Sequence, residues 1–421
     1  MSKRSGNAIV LDLGTSSIKG IAVRSSPSGF EVLGYAQAQT RGMDITGIKD
    51  AVALKECIEA VLDEIKSQIG RFEYEELRVA FSDDTYAISR SSEELSLDSE
   101  EPVLIDESIL NELLDRLGVE KGFEVNPTAV LHVFPIQYTL DGVRRVVNPL
   151  ELEARKLAVD AYTATVSSVK GDSIRQILQG IVGELPIVFY SPGVAAGYAT
   201  TTEAEREQGS FVIEIGHSFV TTTFFTNGVP VLLAVSPLGF RYVIKDVSRV
   251  FGTSIPEAER LVKNFGHADV NPPDADASID YFGLDGRTRR TVKKRELSLV
   301  IYARLREILN RARKVAYESF SGSSVPLTEG PHSVILTGGG AKLPGTVDTS
   351  AEVFRGFVRT GNAESGSHIP VEGPDKVLRD PVYSVCIGTL TTESRRRMEK
   401  VPMKKKKKAG FIDFLRELFG W

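Results

Sequence analysis

The alternation of apolar and polar positions has one layout that occurs twice. Ile9 to Val23 reads IVLDLGTSSIKGIAV and Phe211 to Phe225 reads FVIEIGHSFVTTTFF. In each, apolar positions lead to an acid (Asp12, Glu214), one apolar residue, a Gly (Gly14, Gly216) and, two residues on, a Ser (Ser16, Ser218). The pattern predicts a strand, a tight Gly turn and a second strand. A third apolar run, Val334 to Leu336, leads into Gly338-Gly339-Gly340. Gly turns expose backbone N–H groups that can cradle phosphate oxygens. Two facing turns would clamp a nucleotide in a cleft between two related domains.

Between these strands the pattern changes period. Asp50 to Ile69 has apolar residues at helical spacing, Asp106 to Leu117 predicts a short helix, and another falls near Ser173–Gly183 before a strand at Pro186–Tyr190. VLHVFPIQYTL and VRRVVN flank Asp141-Gly142, a hairpin signal. The acidic, Ser-rich stretch Ser91 to Glu101 marks a change of texture, so residues 78–165 read as a small α/β insertion. FGTSIPEAERLVKNFG predicts a capped helix ending at Gly266, and Ser298–Phe320 a long amphipathic helix with a basic outer face. Asp285-Gly286 predicts a hairpin; residues 359–380 read as surface loop and 391–409 as a basic flexible linker.

With 42% hydrophobic and 25% charged residues, 421 residues suffice for several domains with ordinary cores. The net charge of −5 is uneven: residues 391–421 hold ten basic and four acidic side chains, so the remainder is strongly acidic. Such a body does not suit nucleic acid, whereas the tail favours an anionic partner. The two cysteines, Cys57 and Cys386, form no motif and suit a reducing cytoplasm. No apolar run resembles a signal peptide or reaches the roughly 18 residues of a membrane span, so any membrane contact is expected to be peripheral.

Candidate chemistry concentrates at the Gly turns. Thr15 and Ser16 could offer hydroxyls and amides to phosphates, and Lys19 could neutralise charge. Asp12, with Glu214 in the second copy, could orient Mg²⁺ through its water shell. The segment Gly338 to Gly345 could let backbone approach a base and ribose. Glu259 and Lys263 share a helix face, either to reach an adenosine or as a solvated pair. There is no GxxxxGK[ST], no GxSxG, and no metal-ligand pair among the five histidines.

The end of the chain carries the second signal. Lys404, Lys405, Lys406, Lys407 and Lys408 precede FIDFLRELFGW. Phe411, Ile412, Phe414, Leu415, Leu418 and Phe419 fall on one helical stripe, with Asp413, Arg416 and Glu417 on the other. So short a helix is marginal alone in water. Lysines near an anionic leaflet contribute roughly 1 kcal/mol each and the apolar stripe adds insertion. The alternative is docking on the protein's own core.

LDLGTSSIKG, IEIGHSF and LTGGGAKLPG resemble the phosphate-1, phosphate-2 and adenosine motifs of the actin, Hsp70 and sugar-kinase superfamily. HVFPIQYTLDG with NPLELEARKLAV, then SPLGFRYVIKDVSRVFGTSIPEAERLVKNFG, then the basic linker and terminal amphipathic segment, resemble the FtsA family of bacterial cell-division proteins. The resemblance implies an α/β, actin-like two-domain fold of ribonuclease H-like halves. Subdomain 1A would be 1–77 and 166–190, an inserted subdomain 1C 78–165, subdomain 2A 191–237 and 326–390, and subdomain 2B 238–325. Residues 410–421 would form an amphipathic membrane-targeting helix.

It also implies ATP with Mg²⁺ between the halves, held by Gly14, Thr15, Ser16, Lys19, Gly216, His217, Ser218, Gly239, Glu259, Lys263, Gly338, Gly339, Gly340 and Lys342. The implied partners are anionic inner-membrane lipids at the cytoplasmic face, further copies of the chain in a polymer, other division proteins, and the C-terminal tail of the tubulin-like FtsZ. Arg304, Arg306, Arg311 and Lys314 would receive that tail; Lys404–Lys408, the apolar stripe and Trp421 would meet the membrane. Two departures matter. In the second phosphate loop Glu214 stands where the family pattern has Asp and Phe219 brings no hydroxyl; and the segment SPGVAAGYATTTEAE before it has no obvious acid or Gln placed to orient an attacking water. A nucleotide-binding scaffold with at most slow hydrolysis is therefore expected. The competing expectations are a pilus-assembly actin homologue and a sugar-kinase-like enzyme.

Overall fold

The computed structural model describes residues 6–70, 72–97, 101–118, 127–321, 331–366 and 369–400. Two sheets share one topology. The first runs Ile187–Tyr190, Glu76–Phe81, Ala8–Leu13, Ser17–Ser26, Gly29–Gln39, with the short Val371–Glu372 on its far edge. The second runs Phe357–Thr360, Ser333–Thr337, Ser210–Ile215, Val220–Thr226, Val229–Ser236. In both, three sequential antiparallel strands are extended by two parallel ones. The duplicated strand–turn–strand of the sequence is the centre of each sheet, and the registers correspond: Asp12 lies opposite Lys19 as Glu214 lies opposite Thr221.

Parallel pairing needs a crossover. In the first sheet it is the Ala51–Ile69 helix, whose N-cap Asp50 accepts from the Val52 and Ala53 N–H groups. Its apolar stripe, Leu54, Cys57, Ile58, Val61 and Ile65, is buried. Val61 and Ile65 sit so close over Gly20 that a Cβ there would lie 2.7 Å from Val61. In the second sheet the crossover is a helical block, Arg241–Phe251, Ile255–Phe265 and Lys294–Ser321, with the Ser278–Phe282/Arg289–Lys293 hairpin. Leu297, Ile301, Leu305, Ile308, Leu309, Ala312 and Ala316 of the long helix are buried against it and the sheet.

Two helices lie against each other between the sheets, Pro192–Thr200 and Ser384–Lys400. The former is buried at all nine positions, as expected of a helix apolar on every side. Their backbones meet at Gly388, where an added Cβ would lie 1.8 Å from the Ala195 carbonyl oxygen. Only Gly permits that approach.

The insertion is a four-stranded antiparallel sheet ordered Arg144–Val146, Thr128–Leu140, Lys156–Ser167, Ala87–Ser96. The Glu107–Arg116 helix closes it over Leu95, Leu113, Leu140 and Leu157. Asp141 and Gly142 take positive φ at the expected hairpin, and the Asp141 carboxylate accepts from the Arg155 and Lys156 N–H groups.

Several elements differ from expectation. Residues 91–96 of the acidic, Ser-rich stretch are strand, because Ala87–Ser96 pairs with Lys156–Ser167 over ten positions. The helix expected near Ser173 begins at Ser168. Residues 359–380 are more than loop, since Val371–Glu372 joins the first sheet beside Phe30 and Glu31. The residues 391–400 continue the helix that begins at Ser384, where a linker was expected.

Candidate functional site: a cleft between two glycine turns

The two Gly turns face each other across a cleft of about 260 Å³. Gly14, Thr15, Ser16 and Lys19 line one wall, Gly216, His217 and Ser218 the other, and Gly338, Gly339 and Gly340 the end. Each turn needs its glycine. A Cβ on Gly14 would lie 2.8 Å from the Ser17 carbonyl, and one on Gly216 2.9 Å from that of Phe219. The Thr15 hydroxyl reaches the Ser218 hydroxyl at 2.8 Å. Backbone bonds from Phe240 N–H to Gly216 O and from Arg241 N–H to His217 O tie the second turn to the start of the Arg241–Phe251 helix. Gly239 makes this possible: its Cβ would fall 2.4 Å from the Ser218 carbonyl carbon.

The third run works by close approach. Gly338 takes φ +81°, and a Cβ on Gly340 would lie 2.3 Å from the Ile215 side chain. Strand Ser333–Thr337 is thereby locked beside Ser210–Ile215. Thr337 Oγ1 reaches Ser384 Oγ at 2.8 Å, joining this loop to the central helix.

Charge is concentrated at the floor. Lys19 Nζ lies 2.7 Å from Asp12 Oδ2, both nearly buried. Burial alone would lower the Lys19 pKa, but the Asp12 carboxylate outweighs it and the ammonium is held more firmly than usual. Glu214 is pushed up to about 7 by burial and by Asp12, against the opposing pull of Lys19. Burial, then the positive charges of Arg241 and Lys245, hold the His217 imidazole below its ordinary value. The donor chemistry fits an anionic, phosphate-bearing ligand: backbone turns that only Gly can make, hydroxyls on both walls and one buried ammonium. Asp12 and Glu214 both line the cleft, where they could face a hydrated Mg²⁺. Among the described residues no group of three or more His, Cys, Asp or Glu could hold a metal directly.

Not every expected residue faces the cleft. Glu259 and Lys263 are exposed on the Ile255–Phe265 helix, outside the cleft lining. Lys342 pairs with Asp380 at 2.6 Å at the rim. Conversely Gln37, Ser82, Asp83, Pro192, Phe240 and Val382 line the cleft and went unrecognised. They come from strand ends and loops without a motif of their own. On the long helix, Arg304 is engaged by Asp246 and Glu307. Arg306, Arg311 and Lys314 are exposed, with Arg306 over the Tyr302 ring and Lys314 near Glu318. Lys404–Lys408, Phe411, Ile412, Phe414, Leu415, Leu418, Phe419 and Trp421 lie outside the described residues. Among the described residues no helix is long and apolar enough to cross a membrane.

The paired sheets and the cleft between their Gly turns define an actin-like α/β fold. Solved structures agree. A PilM–PilN type IV pilus biogenesis complex superposes with TM-score 0.61 at 17% identity, over 92% of this chain and 98% of the other. MreB5 of Spiroplasma citri bound to ADP gives 0.54 at 11% identity, over 94% and 98%. The sequence comparisons narrow the class. The family model described as "Cell division protein FtsA" matches residues 211–388. The cell division protein FtsA of Escherichia coli K12 is 24% identical over 390 residues, 90% of this chain and 88% of its own length. That of Borreliella burgdorferi is 26% identical over 425 residues, 96% of each. The chain thus resembles FtsA along nearly its whole length, as its motifs do.

Proposed function

We propose that the protein is an ATP-binding, actin-like cell-division scaffold of the FtsA kind. The observation that carries this reading is the pair of Gly turns facing across the cleft, with Lys19 and Asp12 buried at its floor, in a chain whose relatives bear the FtsA name. Mg²⁺, when bound, would supply charge neutralisation for the phosphates. The chain's own groups divide the remaining work. The amides of the two turns and the hydroxyls of Thr15, Ser16 and Ser218 would take phosphate oxygens, Lys19 would offset their charge, and the Gly338–Gly340 backbone would face the nucleoside.

The Pro192–Thr200 helix carries no carboxylate, and Asp83 of the cleft lining is engaged by Lys170 and Thr85. On this reading hydrolysis is at most slow, and nucleotide acts mainly as a ligand that favours the closed, polymerising form by binding it preferentially. The exposed Arg306, Arg311 and Lys314 suit an acidic peptide such as the FtsZ tail. The lysine run with the apolar stripe to Trp421 suits an anionic membrane at its cytoplasmic face.

The test uses the lone Trp. Anionic vesicles titrated into the full chain with ATP should blue-shift Trp421 emission, and deletion of 404–421 should abolish the shift. An unshifted spectrum with no co-sedimentation would remove the membrane-scaffold reading. The pilus-assembly reading is favoured by one observation, the PilM–PilN superposition; binding of an FtsZ tail peptide would decide against it.

A further inference from the structure

The inserted sheet stands directly on the cleft. Its first strand leaves the Glu76–Phe81 strand through Ser82 and Asp83, both of which line the cleft. Its last strand, Lys156–Ser167, returns into the Ser168–Val182 helix, which carries Lys170. These two connections are cross-linked. Asp83 Oδ1 accepts from the Thr85 N–H at 2.8 Å and from its hydroxyl at 2.6 Å. Thr85 Oγ1 in turn accepts from the Ser167 N–H at 2.9 Å. Lys170 Nζ closes the ring, 3.0 Å from Asp83 Oδ2 and 3.0 Å from the Ser82 carbonyl oxygen.

A second tie lies deeper. His132, fully buried on the Thr128–Leu140 strand, accepts from the Ser191 N–H at 3.0 Å. Ser191 precedes Pro192, another residue of the cleft wall. The insertion therefore meets the cleft at Ser82 and Asp83 and, through Ser191, beside Pro192. The Lys170–Asp83 and His132–Ser191 contacts are buried or nearly so and tolerate little slack, while Thr85 is exposed.

We propose that Lys170 is a positioning residue that couples occupancy of the cleft to the setting of the inserted sheet. The coupling rests on the nucleotide reading above. A phosphate-bearing ligand that fixes the Ser82–Asp83 loop also fixes Lys170, Thr85 and Ser167, which hold both ends of the insertion. Lys170 acts through Ser82 and Asp83 and need not touch the ligand. The insertion is thus a reporter of nucleotide state, presenting its outer surface differently in the two states.

Hydrogen exchange on the full chain, with and without ATP and Mg²⁺, tests this alongside a direct measurement of ATP affinity. ATP should slow exchange in 128–140 and 156–167 by about fivefold or more. Lys170→Met should keep ATP binding but lose the response, and Lys170→Arg should restore it. Thr85→Val, which removes only a hydroxyl, should also lose it and serves if Lys170→Met fails to fold. ATP binding without a response in the wild type, or an undiminished response in both Lys170→Met and Thr85→Val, would overturn the coupling alone. Absence of ATP binding by the wild type would overturn the nucleotide reading and the coupling with it.

Discussion

Thr15 on the first Gly turn and Ser218 on the second share a hydrogen bond of 2.8 Å between their hydroxyls, linking positions 203 residues apart. Each hydroxyl is therefore within reach of whatever enters between the turns. Thr15→Val keeps the side chain's volume and removes the donor. A hydrogen bond to a charged group contributes about 1.5–3 kcal/mol, so ATP affinity should fall roughly tenfold to a hundredfold. Stability should fall modestly, by about 1 kcal/mol, because the buried Ser218 hydroxyl loses this partner. Calorimetric titration checks the first and a melt the second.

Two glycines make an internal contrast. Gly239→Ala places a Cβ 2.4 Å from the Ser218 carbonyl carbon, and backbone has to yield. A stability loss of about 1–3 kcal/mol is expected, along with loss of nucleotide binding because the second turn is displaced. Gly180→Ala, on an exposed stretch of the Ser168–Val182 helix, meets nothing within 4 Å. It should stabilise by about 0.5–1 kcal/mol through lower chain entropy and leave binding untouched. Denaturant melts of the two variants check the pair.

His217 gives the pH dependence a sign. Its folded pKa lies below the ordinary value because of burial and the nearby Arg241 and Lys245 charges. The unfolded chain then binds more protons as pH falls through that ordinary value, so this residue's contribution to stability is lost on acidification. His217→Asn should lose less stability than the wild type between pH 7.5 and about 5.5, measured as the difference between parallel urea titrations.

The long helix separates a half-buried, firmly paired cation from exposed ones. Arg304 is held by Asp246 and Glu307, while Arg306, Arg311 and Lys314 face solvent. Reversing the exposed charges, as in Arg311→Glu with Lys314→Glu, should weaken an acidic FtsZ tail peptide several-fold and steepen no salt dependence. Arg304→Ala should instead cost stability by leaving Asp246 unpaired. Peptide anisotropy at two ionic strengths, beside a melt, distinguishes the two roles.

The centre of the fold was legible because its signal is local and repeated. An apolar strand, an acid and a Gly two residues on can be read at Asp12 and again at Glu214, and both copies became matching sheets. The helix from Asp50 to Ile69 was legible from its local apolar spacing, and the one in FGTSIPEAERLVKNFG from its local capping signal. Non-local structure was not. Ala87–Ser96 is rich in Ser and Glu and has little strand propensity; its register comes from Lys156–Ser167, some seventy residues on. Val371–Glu372 is strand only because the first sheet has a free edge beside Phe30. In the cleft, the Gly turns were readable, but Asp83 and Gln37 reach it from a loop and a strand end. Conversely, helical spacing correctly placed Glu259 and Lys263 one turn apart, yet spacing says nothing about which way the helix faces. The structure leaves both in solvent.

The central claim is that the paired turns hold a nucleotide. Equilibrium titration of ATP with Mg²⁺ into the full chain tests it most directly. The account requires saturable binding of one ATP per chain, competed by ADP and weakened by Thr15→Val. No saturable binding by the wild type, or binding indifferent to Thr15→Val and Gly239→Ala alike, would contradict it.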